Sequence, residues 1–408
     1  MRSHADAIIQ ASIQAVLPDN AVRRALEGKQ FPGRVVLVAA GKAAWQMAKA
    51  AHDVLGSTIS SGVVVTKYNH VMGPIGNFEF CEGGHPVPDE NSFAGTRMAL
   101  EATENLTKED TVLFLLSGGG SALFERPLVR GEELQDITQQ LLACGADIVE
   151  MNTIRKRLSG VKGGRFAEHC APARVLSIVL SDVLGDPLDM IASGPACPDS
   201  STCADALAIA KKYGLKLSDS AWAFLAQETP KELNNVETHI NGSVRELCLA
   251  AAKAAKELGY EPVLLTDQLC CQAREAGSFL GSMLKTHAGT GRKMAFIAGG
   301  ETVVKLTGKG LGGRNQELAL SAASIIDGIP GAAVFSVGSD GTDGPTDAAG
   351  GYVDGHTAGA LREQGISIHE VLQDNDAYHA LQKVGGLVIT GPTGTNVNDV
   401  AAALLAVS

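Results

Sequence analysis

At 408 residues the chain is longer than one hydrophobic core usually supports, so two domains are expected. Charged residues are 19% and apolar ones 45%, the balance of a globular enzyme and too apolar for disorder. A net charge of −11 argues against a nucleic-acid or anionic-membrane partner, so an anionic ligand would need its cations gathered locally.

The first twenty residues are interrupted by polar side chains and lack the apolar centre of a signal peptide; no segment approaches eighteen uninterrupted apolar residues. A cytoplasmic location is expected. The eight cysteines, at 81, 144, 170, 197, 203, 248, 270 and 271, show neither a C-x-x-C pair nor a zinc-like spacing with histidine. Most are expected to be reduced and buried.

In chain order, one phrase recurs: a short apolar or β-branched run, then Gly, Ser, Thr or Asp, then a helical stretch. The runs are residues 35–40, 62–66, 112–116, 175–180, 262–266, 294–299, 332–337 and 387–390. Continuous apolar strands separated by helices predict an α/β fold with largely parallel, three-layer sheets covered on both faces, Rossmann-like in the N-terminal part. Ligands in such sheets bind beyond the carboxyl ends of the strands. The polar segment LNNVETHING, 233–242, precedes an alanine-rich helix and marks the division, giving a domain over 1–235 and a smaller one over 243–408 that face each other across a cleft.

The loops that follow these strands carry the chemistry. Gly41 and Lys42 close the first strand, placing a lysine where a phosphate or carboxylate would sit. His85, in GGHPVPD, has no paired acid in view and reads as structural. Residues 117–124, SGGGSALF, put three glycines and two hydroxyls at a strand-to-helix turn, an arrangement that offers backbone N–H groups to an anion. The same loop could be a tight turn with close helix packing. Neither G-x-G-x-x-G nor GxxxxGK[ST] is completed there, so this loop carries neither the nicotinamide nor the P-loop fingerprint.

Residues 151–165 concentrate Arg155, Lys156, Arg157, Lys162 and Arg165 in an acidic protein, either as a solvated helix face or, where Gly163 and Gly164 interrupt, turned toward a ligand. Asp182, in SDVLGD after a strand, suits Mg²⁺ coordination or acceptance of a hydroxyl proton, whereas Asp186 and Asp199 suit turns. Residues 299–317 offer Glu301 as a metal ligand, Arg314 as a fork for carboxylate or phosphate, and Asn315 beside it. Residues 339–351, SDGTDGPTDAAGG, bring Asp340, Asp343 and Asp347 among glycines; metal site, base and turn all remain open, though the spacing excludes an EF-hand. Residues 390–399, TGPTGTNVND, contact a nucleotide or cap a final helix at Asn396 or Asn398.

Taken together, SGGGSAL, RKRLSGVKGGR, SDVLGD, SGPACPD, GGRNQELAL, SDGTDGPTDAAGG and GPTGTNVND resemble the class II glycerate kinases, in order along nearly the whole chain. GGRNQELAL and DGTDGPTDAAGG look like that family's C-terminal MOFRL domain, here at about 294–402, while Arg157 stands where the family's RKxLS pattern leads us to expect a histidine. The resemblance implies phosphorylation of D-glycerate on its 2-hydroxyl by ATP with Mg²⁺, giving 2-phosphoglycerate and ADP. It implies small-molecule partners only, with no nucleic acid and no membrane, and is compatible with a homo-oligomer. Some relatives are called hydroxypyruvate reductases, so an NAD(P)H-dependent reductase and a non-catalytic small-acid binder are the alternatives.

In the kinase reading, catalysis depends on positioning and charge neutralisation. Lys42 and Arg314, from opposite domains, are then expected to bind phosphates and the substrate carboxylate. Asp182 and Asp340 are the expected base or metal ligands across the closed cleft, with Glu301 as a further ligand. Ser117, Gly118, Gly119, Gly120 and Ser121 are expected to cradle ATP phosphates or the acid, with Arg155, Lys162, Asn315, Thr393 and Asn396 as further substrate or nucleotide contacts.

Overall fold

The computed structural model describes residues 1–406. The chain divides into two compact units, one over residues 18–241 and the other combining residues 1–17 with the chain from 242 onward.

The unit over 18–241 is built on a sheet of β1 (Val35–Ala40), β2 (Ile59–Lys67), β3 (Glu79–Gly83), β4 (Thr111–Leu116), β5 (Arg174–Leu180) and β6 (Val236–Gly242). Their order is β3-β2-β1-β4-β5-β6. β1 is parallel to both β2 and β4, and the β2–β3 and β4–β5 pairs are parallel too. The period-2 alternation of strand side chains sends the same run to two cores. Val36, Val38 and Phe114 pack on one face with Ala99 and Phe166 from the helices Glu90–Ala102 and Arg165–His169. Val35, Leu37 and Leu113 pack on the other with Val22 and Met47 from the helices Pro18–Leu26 and Ala44–Leu55. Unbroken apolar runs are therefore needed, because neither face meets water. A separate small core joins the helices Gly131–Ala143, Ile148–Arg157, Cys203–Lys212 and Asp219–Leu225.

The second unit holds β7 (Glu261–Leu269), β8 (Met294–Gly300), β9 (Ala332–Gly338), β10 (Gly350–Asp354), β11 (Leu387–Val388) and β12 (Asp399–Leu405), in the order β11-β10-β9-β12-β8-β7. β7 and β8 are parallel. β12 runs antiparallel between β8 and β9, and β10 antiparallel to both β9 and β11, so this sheet is mixed. Helices Ala273–His287 and Arg314–Ala323 cover one face, sharing a core with Phe296, Val334 and Ala403.

The two-domain α/β architecture expected from the sequence is present, with four strands beyond those anticipated. β12 replaces the expected final helix: DVAAALL is buried at every position, and the continuous apolar run after Asp399 fits a central strand as well as a buried helix. β6 occupies the segment taken for a linker. Its residues are mostly half-buried at the sheet edge, where polar side chains are tolerated. The first seventeen residues group with the second unit instead of the first. Ile8, Ile9 and Ile13 are buried, the helix Arg2–Ala15 packs on Val244–Glu257, and His4 Nδ1 lies 2.8 Å from the Tyr260 hydroxyl. All eight cysteines are free, but only Cys170 and Cys248 are buried, and Cys144 and Cys270 are exposed.

Candidate active site

In the unit over 18–241, β1 and β4 end side by side, with Ala40 opposite Leu116. Their loops are stitched together: the Lys42 N–H donates to the Gly118 carbonyl at 2.9 Å and the Ala43 N–H to Ser117 Oγ at 3.0 Å. β5, the next strand, delivers Asp182. A Cβ on Gly118 would strike the Asp182 carboxylate, so glycine is what lets this acid lie against the loop. Gly119, at φ 88°, faces the other way, where an added Cβ would stand 3.0 Å from the His85 ring and 3.2 Å from Lys42 Cγ.

The structure thus brings together Lys42, the glycines at 118 and 119, and Asp182, and adds His85, which its sequence context suggests is structural. His85 is held below its ordinary pKa by burial, then by Lys42, Lys67 and His70. Basic side chains from the ends of β1 and β2 therefore converge on the ring that follows β3, a field that favours an anion. Lys67 and His70 carry no motif that singles them out. The helix expected to open from the loop is a single turn, Gly120–Leu123, so the converging side chains supply most of the positive field and the helix dipole little.

The basic segment is neither a solvated face nor a set of free ligand contacts. Lys156 and Arg157 are buried on Asp199, at 3.1 and 3.6 Å, and Arg157 Nη2 also donates to the Ser201 carbonyl at 2.8 Å. Asp199 is accordingly a buried counter-ion as well as a turn former. Arg165 Nη1 donates to the carbonyls of Lys156 at 2.8 Å and Ser159 at 2.6 Å. Lys162, expected as a ligand contact, forms a buried ion pair with Glu125 and donates to the Ser121 carbonyl at 2.8 Å. Burial lowers its pKa, an effect that Glu125 opposes. Arg155 is half-buried and lines a cavity together with Ser121, Glu125 and Lys162.

The second unit gathers its charges where β8 and β9 end on either side of the start of β12, Asp399 lying opposite both Gly300 and Gly338. Arg314, the first residue of the helix Arg314–Ala323, reaches Asp399 with Nε at 2.5 Å and Nη2 at 3.0 Å, and Glu301 with Nη1 at 3.0 Å. Burial opposes its charge, but Asp399 and then Glu301 raise its pKa overall. Asp399 has no feature that marks it in the sequence beyond its place at the end of TGPTGTNVND.

Asp340 stands at the end of β9 and accepts the Thr342 N–H at 2.9 Å. Its carbonyl accepts the Thr393 N–H at 3.2 Å, while Thr393 Oγ1 donates to Ser339 O at 2.6 Å. The loop carrying Thr393 and the exposed Asn396 thus lies beside Asp340 and leads into β12, not into a helix. Asp343 is buried and caps the helix Arg314–Ala323, accepting the N–H groups of Gln316 at 2.9 Å and Asn315 at 3.1 Å. Asp347 accepts the Tyr378 hydroxyl at 2.8 Å. Asn315 is a correction to the expected ligand set. It is 1% exposed, accepts Ser336 Oγ at 2.5 Å and donates to Asp343 at 3.3 Å, so its side chain anchors the helix.

Among the described residues no three His, Cys, Asp or Glu side chains converge as a metal cage. Nor is any described helix long and apolar enough to cross a membrane.

Two family models match the chain, a domain of unknown function, DUF4147, over residues 4–226 and the MOFRL family over 294–399. A D-glycerate 2-kinase of Thermotoga maritima is 56% identical over 404 residues, covering 98% of this chain and 97% of the relative. A crystal structure of glycerate kinase from Thermotoga maritima superposes with a TM-score of 0.95 at 55% identity, covering 99% of each chain. A putative hydroxypyruvate reductase of Agrobacterium vitis is 40% identical, covering 91% of this chain and 87% of the relative. Fold and charged strand-end loops together define a two-domain α/β protein with a C-terminal MOFRL domain. The chain belongs to the class II glycerate kinase family.

Proposed function

We propose that this protein phosphorylates D-glycerate on its 2-hydroxyl, using ATP and Mg²⁺ and releasing 2-phosphoglycerate and ADP. The observation that carries the reading is the convergence of Lys42, His85 and Asp182 on the glycines of residues 117–120, at the carboxyl ends of β1, β4 and β5. Full-length similarity to a D-glycerate 2-kinase supports the substrate. The putative reductase name among the relatives gains no support from this loop, which lacks the dinucleotide fingerprint.

Phosphoryl transfer needs the reacting groups held in line and their charge offset. Lys42 supplies a fixed positive charge to phosphate oxygens beside the glycine loop. Asp182 is placed to accept the proton of the attacking hydroxyl or to hold the metal. Mg²⁺ retains waters and phosphate oxygens, so one or two carboxylates suffice and no protein cage is required. When bound, it offsets charge on the transferring phosphoryl group. Arg314, held by Asp399 and Glu301, is the cation of the second unit, with Asp340 nearby as a further acid. The working location is the cytoplasm, in keeping with eight free cysteines. ADP release that depends on D-glycerate and on Mg²⁺ tests the assignment. NADH oxidation by hydroxypyruvate without any such ADP release would replace it with the reductase.

A further inference from the structure

Beside the glycine loop, in the unit over 18–241, is a cavity of about 130 Å³. Val87, Leu134 and Leu142 form its apolar wall, and Ser121 belongs both to the cavity and to the loop. Its charged side is Arg155 with the buried Lys162–Glu125 pair. Those last two neutralise each other. Arg155 is different: among the described residues its side chain makes no hydrogen bond and no ion pair, and the acid that acts on it, Glu125, is already bonded to Lys162. The guanidinium is half-buried against an apolar wall, so one net positive charge remains without a counter-ion. A cation in such surroundings is costly unless an anion accompanies it.

The kind of anion follows from shape. A guanidinium presents paired N–H groups that match the two oxygens of a carboxylate. A cavity of about 130 Å³ holds an acid of a few carbons and is well below the roughly 300 Å³ at which pockets for larger ligands begin.

We propose that this cavity seats the carboxylate of the acid substrate on Arg155, and that its apolar wall admits short 2-hydroxy acids longer than glycerate. The proposal rests on the kinase reading above for its phosphoryl transfer, but not for its binding. Arg155 is then a substrate-binding residue, and the Lys162–Glu125 pair is a positioning element that fixes the loop through the Ser121 carbonyl.

Steady-state kinetics of full-length Arg155→Gln test it. KM for D-glycerate is expected to rise roughly thirty- to a hundredfold, the worth of hydrogen bonds to a charged group, while KM for ATP stays nearly unchanged. The wild-type preference for D-glycerate over its neutral amide is expected to collapse in the variant. A raised KM for ATP with unaltered KM for glycerate, or an unchanged acid-to-amide ratio, would overturn the proposal. Val87 is 59% exposed, so Val87→Trp narrows the cavity at little risk to folding. It is expected to impair D-2-hydroxypentanoate about tenfold more than D-glycerate, and equal effects would contradict the apolar-wall assignment. Calorimetry separates this proposal from the kinase reading. If no phosphoryl transfer occurs, D-glycerate binding that is present in the wild type and lost in Arg155→Gln still supports the cavity. Binding that is equal in both, or absent from the wild type, removes it.

Discussion

Arg314 and Asp399 meet in a two-pronged ion pair, Nε to Oδ2 at 2.5 Å and Nη2 to Oδ1 at 3.0 Å, where β8, β9 and β12 come together. Asp399 is 6% exposed, so removing the arginine strands a buried carboxylate. Arg314→Ala is expected to lower urea-unfolding stability by roughly 2 kcal/mol, the buried-pair cost reduced because the Arg314 side chain is 33% exposed. Turnover is expected to fall about a thousandfold, as for loss of a group that offsets transferring charge. Near-normal turnover with the stability loss intact would make the pair purely structural.

Lys42→Ala is expected to cut kcat/KM about a thousandfold with little change in Tm, because Lys42 is held at the strand end through its backbone N–H and, among the described residues, its amine makes no hydrogen bond or ion pair that the fold would lose. Gly118→Ala tests the same place sterically. Its Cβ would displace the Asp182 carboxylate, so activity is expected to fall although no charged group has been removed. Full activity in Gly118→Ala would dissociate Asp182 from the reaction.

Lys162 and Glu125 are 2% and 1% exposed at the side chain. Lys162→Met or Glu125→Leu alone is expected to cost roughly 3–5 kcal/mol by leaving the partner charge buried, whereas the double variant is expected to recover much of that loss. Additive losses in a urea-unfolding cycle would show that the two groups act independently.

Burial pushes the Asp343 carboxyl up to about 7, against the lowering effect of the Gln316 and Asn315 N–H groups. The folded chain therefore keeps a proton that the unfolded chain loses near its ordinary value of about 4. Folding takes up that proton, so this group makes stability fall as pH rises from about 4 to about 7. Asp343→Asn is expected to flatten that part of the stability profile. An unchanged slope would place the proton elsewhere.

Much of the fold is legible in the sequence because a strand buried on both faces must be apolar throughout, as VVLVAA and TVLFLL are. Edge strands escape the same reading, since VETHING can stay polar where one side lacks a partner. DVAAALL escapes it for the opposite reason, its small apolar residues fitting a buried helix as readily as a strand. At the candidate site, Lys42 and Asp182 just past strand ends and Arg314 opening a helix after a glycine-rich loop stand out because chain order alone places them there. Pairings do not. Nothing local in the sequence says that Lys162 meets Glu125, that Asp399 meets Arg314, or that His85 crosses to Gly119, because each contact depends on how distant segments are brought together.

The proposed reaction is transfer of a phosphoryl group to the 2-hydroxyl of D-glycerate. Phosphorus NMR of a reaction containing the protein, D-glycerate, ATP and Mg²⁺ tests it most directly. The resonance of 2-phosphoglycerate is expected to grow together with that of ADP. A 3-phosphoglycerate resonance in its place, or no new phosphomonoester while the protein oxidises NADH with hydroxypyruvate, would contradict it.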